Sequence, residues 1–260
     1  MADVAQDAFG GRRPEAAPPS APAPGTADDV KVMSLVEHLT ELRRRIFISI
    51  LAVVLGSVVG FIAAPQIIHI LREPLPSKDP LVALGLGDAF FINLKVALVV
   101  GVILAMPVWL YEVWAFISPG LTREERRVAR PWVPLALVFF AIGVGLAYFI
   151  LPYASAFLFG FQSPDLKIFL AADRYFDFVT TLFLAFGLVM EFPMILVLLS
   201  KVGIVTSKRL TSSRRMVILG ITIFSALITP GGDLVSPVAM AVTMYVLFEL
   251  SIILVRAGGR

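Results

Sequence analysis

The sequence predicts an all-α integral membrane fold of six transmembrane helices, with both termini in the cytoplasm and the last two helices short. Three observations predict it. Of 260 residues, 58% are hydrophobic and only 16% charged, and the mean hydropathy of +0.88 is too high for a soluble domain of this size. Six uncharged runs are long enough for helical spans and lack the period-two alternation of barrel strands. Basic residues alternate between the intervening segments: Arg43, Arg44 and Arg45, then Arg123, Arg126, Arg127 and Arg130, then Lys201, Lys208, Arg209, Arg214 and Arg215, and finally Arg256 and Arg260. The opposite segments carry only Arg72, Lys78, Lys167 and Arg174, so the positive-inside rule places both ends of the chain in the cytoplasm.

Residues 1–30 are rich in Pro and Ala without helical periodicity and are expected to form a flexible cytoplasmic tail. Pro, Ala and Asp follow Arg12 and Arg13 where an export signal requires an apolar segment. The membrane domain is expected over 31–256, with a short cytoplasmic tail at 257–260. Ser34 and Glu37 have capping-box spacing, and Leu35, Leu39, Leu42 and Ile46 share a helical face. The pattern predicts an amphipathic helix on the membrane surface that turns inward at about Arg45, leaving Glu37, His38 and Glu41 toward water. Ile46–Ala64 is the first span, and Gly56 with Gly60 marks close helix packing there.

The second span, Val96–Tyr111, follows Lys95, which is placed to snorkel to the outer interface. Ser118, Pro119 and Gly120 end that helix, and Thr122 with Glu125 repeats the capping-box spacing. Trp132–Pro164 is the third run. The fourth runs from Phe178 past Glu191 to Ser200, and Pro193 removes the backbone bond to Val189, predicting a bend beside the acid. Met216–Gly232 and Leu234–Phe248 complete the set, joined by a tight turn at Thr229–Asp233. At about fifteen residues each they reach roughly 22 Å against a hydrocarbon core of roughly 30 Å, which predicts local bilayer thinning. Glu249, near the end of the sixth span, is expected to reach headgroups or pair with Arg256.

Three segments carry a family resemblance: HLTELRRR at His38–Arg45, PVWLYEVWAFISPGLTREERR at Pro107–Arg127, and AFGLVMEFP at Ala185–Pro193. With the order and spacing of the spans from Leu35 to Val255, they resemble TatC, the large polytopic subunit of the twin-arginine protein translocase. The resemblance implies a receptor in the cell membrane that binds twin-arginine signal peptides of folded cargo. It also implies assembly with TatA- and TatB-type single-span subunits and other TatC copies, and export driven by the proton motive force. Glu41 and Glu125 stand at family positions implicated in recognising the paired arginines, and Arg43 and Phe116 match recognition-region positions. Glu191 matches a family position, and Thr229 and Asp233 resemble a TP…D turn where partners dock. Pro237 and Thr243 depart from the family pattern beside that turn.

Residue chemistry leaves alternatives open. Glu41 pairs equally well with Arg45 at i,i+4, and Glu125 is a plain helix cap. Against this, carboxylates grip guanidinium groups bidentately, which would separate two arginines from two lysines. Glu191, near mid-membrane, must be protonated, face a hydrated concavity or bond a neighbouring hydroxyl; binding signal peptides, orienting partner helices and thinning the membrane are its functional readings. His38 and Glu41 have metal-ligand spacing, but His69 is the only other histidine and there are no cysteines. No nucleotide loop, HExxH or serine-nucleophile motif is present, so neither an enzyme nor a cofactor is expected, and no nucleic-acid partner either. The runner-up is a secondary transporter coupling proton movement at Glu191 to a small solute, a reading that lacks the repeated broken helices such folds carry.

Overall fold

The computed structural model describes residues 35–76, 80–120, 126–127, 131–163, 170–201, 203, 205–229 and 232–257. Among the described residues the helices run α1 (Leu35–Arg72), α2 (Asp88–Ile117), α3 (Trp132–Phe159), α4 (Ala172–Val189), α5 (Phe192–Lys201), α6 (Ser207–Ser212), α7 (Arg214–Ile228) and α8 (Val235–Ala257). A 3-10 turn at Ser118–Gly120 closes α2. No strand occurs among the described residues; one isolated parallel bridge, Val82 with Ala171, ties two of the connecting segments together. Glu125, the capping residues Ser34 and Thr122, and the tail over 1–30 lie outside the described residues.

Among the described residues, five segments are long and apolar enough to cross a membrane: Val36–Arg72, Asp88–Gly120, Trp132–Phe159, Ala172–Ser200 and Val235–Arg256. The fifth apolar run of the sequence folds as α7, whose 15 residues give only about 22 Å of helix. The sixth corrects the expectation of two short terminal helices. α8 has 23 residues, about 34 Å, because Glu249 ends the uncharged run without ending the helix. Arg214 Nη2 donates to Glu249 Oε2 at 2.8 Å, which compensates the charge across α7 and α8. Arg256 is not that partner; it donates to Thr211 Oγ1 at 3.1 Å.

α1 brings a second correction, for the chain does not turn at Arg45. All 38 residues form one helix. No glycine or proline occurs between Leu35 and Leu55, so nothing interrupts the hydrogen-bond ladder where the surface helix was expected to stop. α1 packs along α2 in antiparallel register, with Arg45 opposite Glu112, Gly56 opposite Gly101 and Gly60 opposite Ala97. A Cβ on Gly56 would lie 2.7 Å from the Gly101 carbonyl oxygen, and one on Gly60 2.5 Å from that of Ala97. The GxxxG pair therefore sets how closely the two backbones approach, as its spacing predicts.

The core is built around α4 and α8. Phe176, Leu182 and Phe186 from the first pack with Leu151 of α3 and with Met240, Phe248 and Ile252 of the second, all fully or almost fully buried. A smaller cluster of Met106, Leu110, Ala136 and Phe140 joins α2 to α3. Lys95 does not simply snorkel: it pairs with Asp177 of α4. The Tyr175 hydroxyl donates to the Leu71 carbonyl and anchors the last turn of α1. Between α4 and α5 the helix is broken outright at Met190 and Glu191, where Pro193 cannot donate to Val189. Gly203, at φ +83°, lets the chain leave α5 through the left-handed region after its N–H bonds the Ser200 carbonyl at 3.0 Å.

Candidate functional site

The antiparallel pairing brings the first turns of α1 against the last turns of α2. α1 contributes His38, Glu41, Leu42 and Arg45, spaced i, i+3, i+4, i+7 and so on one face; α2 answers with Trp109, Glu112, Val113 and Phe116 at the same spacing. The Arg45 guanidinium sits between two carboxylates. Its Nε and Nη2 both donate to Glu41 Oε1, the former at 3.0 Å, and its Nη1 donates to Glu112 Oε2 at 2.9 Å. Glu112 is only 8% exposed. Above this cluster the His38 imidazole stacks on Phe116, with centroids 4.4 Å apart and planes inclined by 21°. Glu41 and His38 thus turn toward α2, not toward water as the amphipathic pattern predicts, because the uninterrupted α1 carries that face onto its neighbour.

The intrahelical Glu41–Arg45 pair read from the sequence is present, and it is one arm of a larger bridge. Glu41 Oε2 is buried and receives no donor. Beside the bridge lies a groove of about 330 Å³ whose apolar walls include Ile46, Ile50, Val54, Trp109 and Val113, with Arg45 and Glu112 as its charged lining. Arg43, two residues from Glu41, is exposed on another side of α1. Arg126 donates from Nη2 to the Ser118 carbonyl at 3.2 Å and to its Oγ at 3.3 Å, at the 3-10 turn that closes α2.

Glu112 is the residue that sequence reasoning missed. The uncharged second run ends at Tyr111, and the acid just beyond it, still within the helix, drew no assignment. The available signal was its register, three residues after Trp109 and four before Phe116 on the same helical face.

Glu191 and the outer-turn residues lie apart from this cluster. Glu191 is 6% exposed at the α4–α5 break, and neither carboxylate oxygen has a hydrogen-bond partner. The neighbouring hydroxyl that would satisfy it is therefore not within reach. Thr229 donates to the Ser225 carbonyl at 2.7 Å, ending α7, and Asp233 Oδ1 accepts from the Ser236 N–H at 2.6 Å, capping α8. Both side chains are buried. Gly232, at φ +71°, carries the chain toward α8 through the left-handed region.

Long apolar helices, a buried acid at a helix break and a guanidinium clamped between carboxylates at one end of the bundle define a polytopic α-helical membrane protein. The family model for the Sec-independent protein translocase protein (TatC) matches residues 37–242. The Sec-independent protein translocase protein TatC of Desulforapulum autotrophicum is 39% identical, over 86% of this chain and 84% of its own. That of Aquifex aeolicus is 38% identical, over 88% of this chain and 97% of its own. A crystal structure of the twin-arginine translocase receptor TatC is similar with a TM-score of 0.75 at 37% identity, covering 86% of this chain and 100% of that one. The chain belongs to the TatC family and is a membrane-spanning component of Sec-independent protein translocation.

Proposed function

We propose that this chain is the receptor core of the translocase, binding twin-arginine signal peptides in the cytoplasm and assembling with TatA- and TatB-type subunits and further TatC copies. The observation that carries the reading is the half-buried acid pair around Arg45: the end of the α1–α2 pair already accommodates a guanidinium between carboxylates. Glu41, with Glu125 and the adjoining Phe116 and Arg43, forms the recognition region, and Glu125 supplies the second carboxylate that two arginines require. The membrane domain spans 31–256 with tails at 1–30 and 257–260, crosses the bilayer six times counting α7, and keeps both termini in the cytoplasm of a cell-membrane protein. Thr229 and Asp233 shape the outer corner where single-span partners dock among the surrounding lipids. Export draws on the proton motive force. Solute transport through Glu191 finds no support in the family relationship.

Crosslinking tests the receptor reading most directly. A photoreactive twin-arginine peptide is expected to label the α1–α2 end near Glu41, and its lysine–lysine counterpart is not; equal labelling by the two peptides would overturn it. The orientation has its own test. Impermeant thiol reagents are expected to label Arg72→Cys and Leu86→Cys in intact cells, but Arg127→Cys and Arg209→Cys only after permeabilisation. Labelling of position 127 from outside would reverse the topology.

Glu191 gives a third expected result. A carboxyl at a break in a span keeps a polar defect inside the bilayer, with an insertion cost of about 2.5 to 3.5 kcal/mol if charged. Glu191→Leu removes the defect and is expected to lower export severalfold at equal expression, whereas Glu191→Gln keeps hydrogen-bonding capacity and is milder. Full export by the leucine variant would assign the acid no part in transport.

A further inference from the structure

We propose that Arg45 is a resident guanidinium occupying the Glu41 carboxylate until a ligand arginine displaces it, and that Glu112 is the positioning residue that holds Arg45 once it has been displaced. The inference rests on the reading of Glu41 as an acceptor for a signal-peptide arginine. Its geometric basis is the unequal sharing of one side chain. Arg45 gives two donors to Glu41 and one to Glu112, on a neighbouring helix. Glu112 is the more deeply buried of its two carboxylates, with a side chain 11% exposed against 19% for Glu41.

An arginine arriving at Glu41 competes with Arg45 for the same oxygen, Oε1, while Oε2 is still without a donor. A guanidinium fork can satisfy both oxygens at once, which Arg45, approaching along the helix at i,i+4 and sharing itself with Glu112, does not. Displaced, Arg45 would be an uncompensated charge beside an apolar groove unless a second acid held it. Glu112 meets that need without moving, being fixed on α2 and already bonded at 2.9 Å. The exchange keeps the number of ion pairs at two, counting Arg45–Glu41 and Arg45–Glu112 before it, and turns binding into a swap of partners. A lysine gains less, since its ammonium cannot engage both Glu41 oxygens in a planar fork.

Binding of a labelled twin-arginine peptide to the full-length protein in nanodiscs tests the exchange through three variants. In Glu112→Gln the displaced Arg45 has no carboxylate to hold it, while before binding it still has Glu41, so affinity is expected to fall about tenfold, the scale of one charge-assisted hydrogen bond. Arg45→Gln removes the competitor and is expected to bind more tightly than the natural chain. The double variant Arg45→Gln with Glu112→Gln is expected to recover the affinity lost in Glu112→Gln, since no displaced charge remains to be held. Thermal melting establishes that each variant is folded; Arg45→Lys, which retains the charge but not the fork, replaces Arg45→Gln if the latter does not fold, and is likewise expected to bind more tightly. Weaker binding by the Arg45 variant, or a double variant no better than Glu112→Gln, would overturn the exchange and leave Glu112 a structural residue. Failure of the underlying receptor reading is distinguishable, because Glu41→Gln would then bind the peptide as the natural chain does.

Discussion

Glu41→Lys is expected to weaken binding of a twin-arginine peptide by at least about a hundredfold while the protein still inserts and folds. Two effects combine. The carboxylate that would accept the guanidinium disappears, and with it charge-assisted bonds worth roughly 1.5 to 3 kcal/mol each; two of them correspond to a hundredfold change or more, at about 1.4 kcal/mol per factor of ten. An ammonium then stands beside Arg45, so the position would repel an arginine where the carboxylate would attract one. Glu112 continues to hold Arg45, which limits the damage to the α1–α2 pair. Glu41→Ala removes the bonds without adding repulsion and should be the milder change. Fluorescence anisotropy with a labelled peptide checks the order, and unchanged affinity in the lysine variant would remove Glu41 from the recognition site.

Gly60→Val should strongly destabilise the α1–α2 pair. Any Cβ at this position meets the Ala97 carbonyl oxygen at 2.5 Å and the Val100 Cβ at 3.1 Å, and the nearer of these is backbone, which cannot rotate away. The two helices must separate, and the cost of such overpacking is about 3 kcal/mol. Gly56→Val meets the Gly101 carbonyl in the same way. Because Arg45 reaches Glu112 across the same interface, the separation should also weaken peptide binding, although the substitution lies four helical turns from the bridge. Melting temperature in detergent and peptide affinity are expected to fall together. A Gly60→Val protein with natural stability would show that α1 and α2 can part without loss.

Much of this architecture was legible in the chain because membrane helices advertise themselves through composition and basic flanks. The five long spans coincide with the apolar runs, Gly56 and Gly60 lie at the close contact, and the α4–α5 break falls where Pro193 and Glu191 foretell a bend. Where helices end in relation to charge was harder to read. Uncharged length understated α8, since Glu249 is compensated by Arg214 of another helix, a partner thirty-five residues away that no local pattern reveals. The same limitation hid Glu112. An acid just past an apolar run looks like any polar residue of a helix end until a neighbouring helix is known to bring an arginine against it. His38 and Glu41 were misplaced for a related reason: amphipathicity identifies a polar face but not whether water or another helix meets it.

The continuity of α1 has a mechanical consequence. A helix of 38 residues, about 57 Å long, continues past Pro65 from the Glu41–Arg45 cluster to the turn held by Tyr175. Stiff helices convert small rotations at one end into large displacements at the other; a tilt of about 5° over that length amounts to roughly 5 Å. Rearrangement of the charges around Arg45 would therefore be felt at Leu71, where the Tyr175 hydroxyl and the buried side chains of Ala64 and Leu71 fasten the far end to the core around α4, the most deeply buried of the long spans. One continuous element thus joins the charged cluster at its first turns to the packed centre of the bundle at its last.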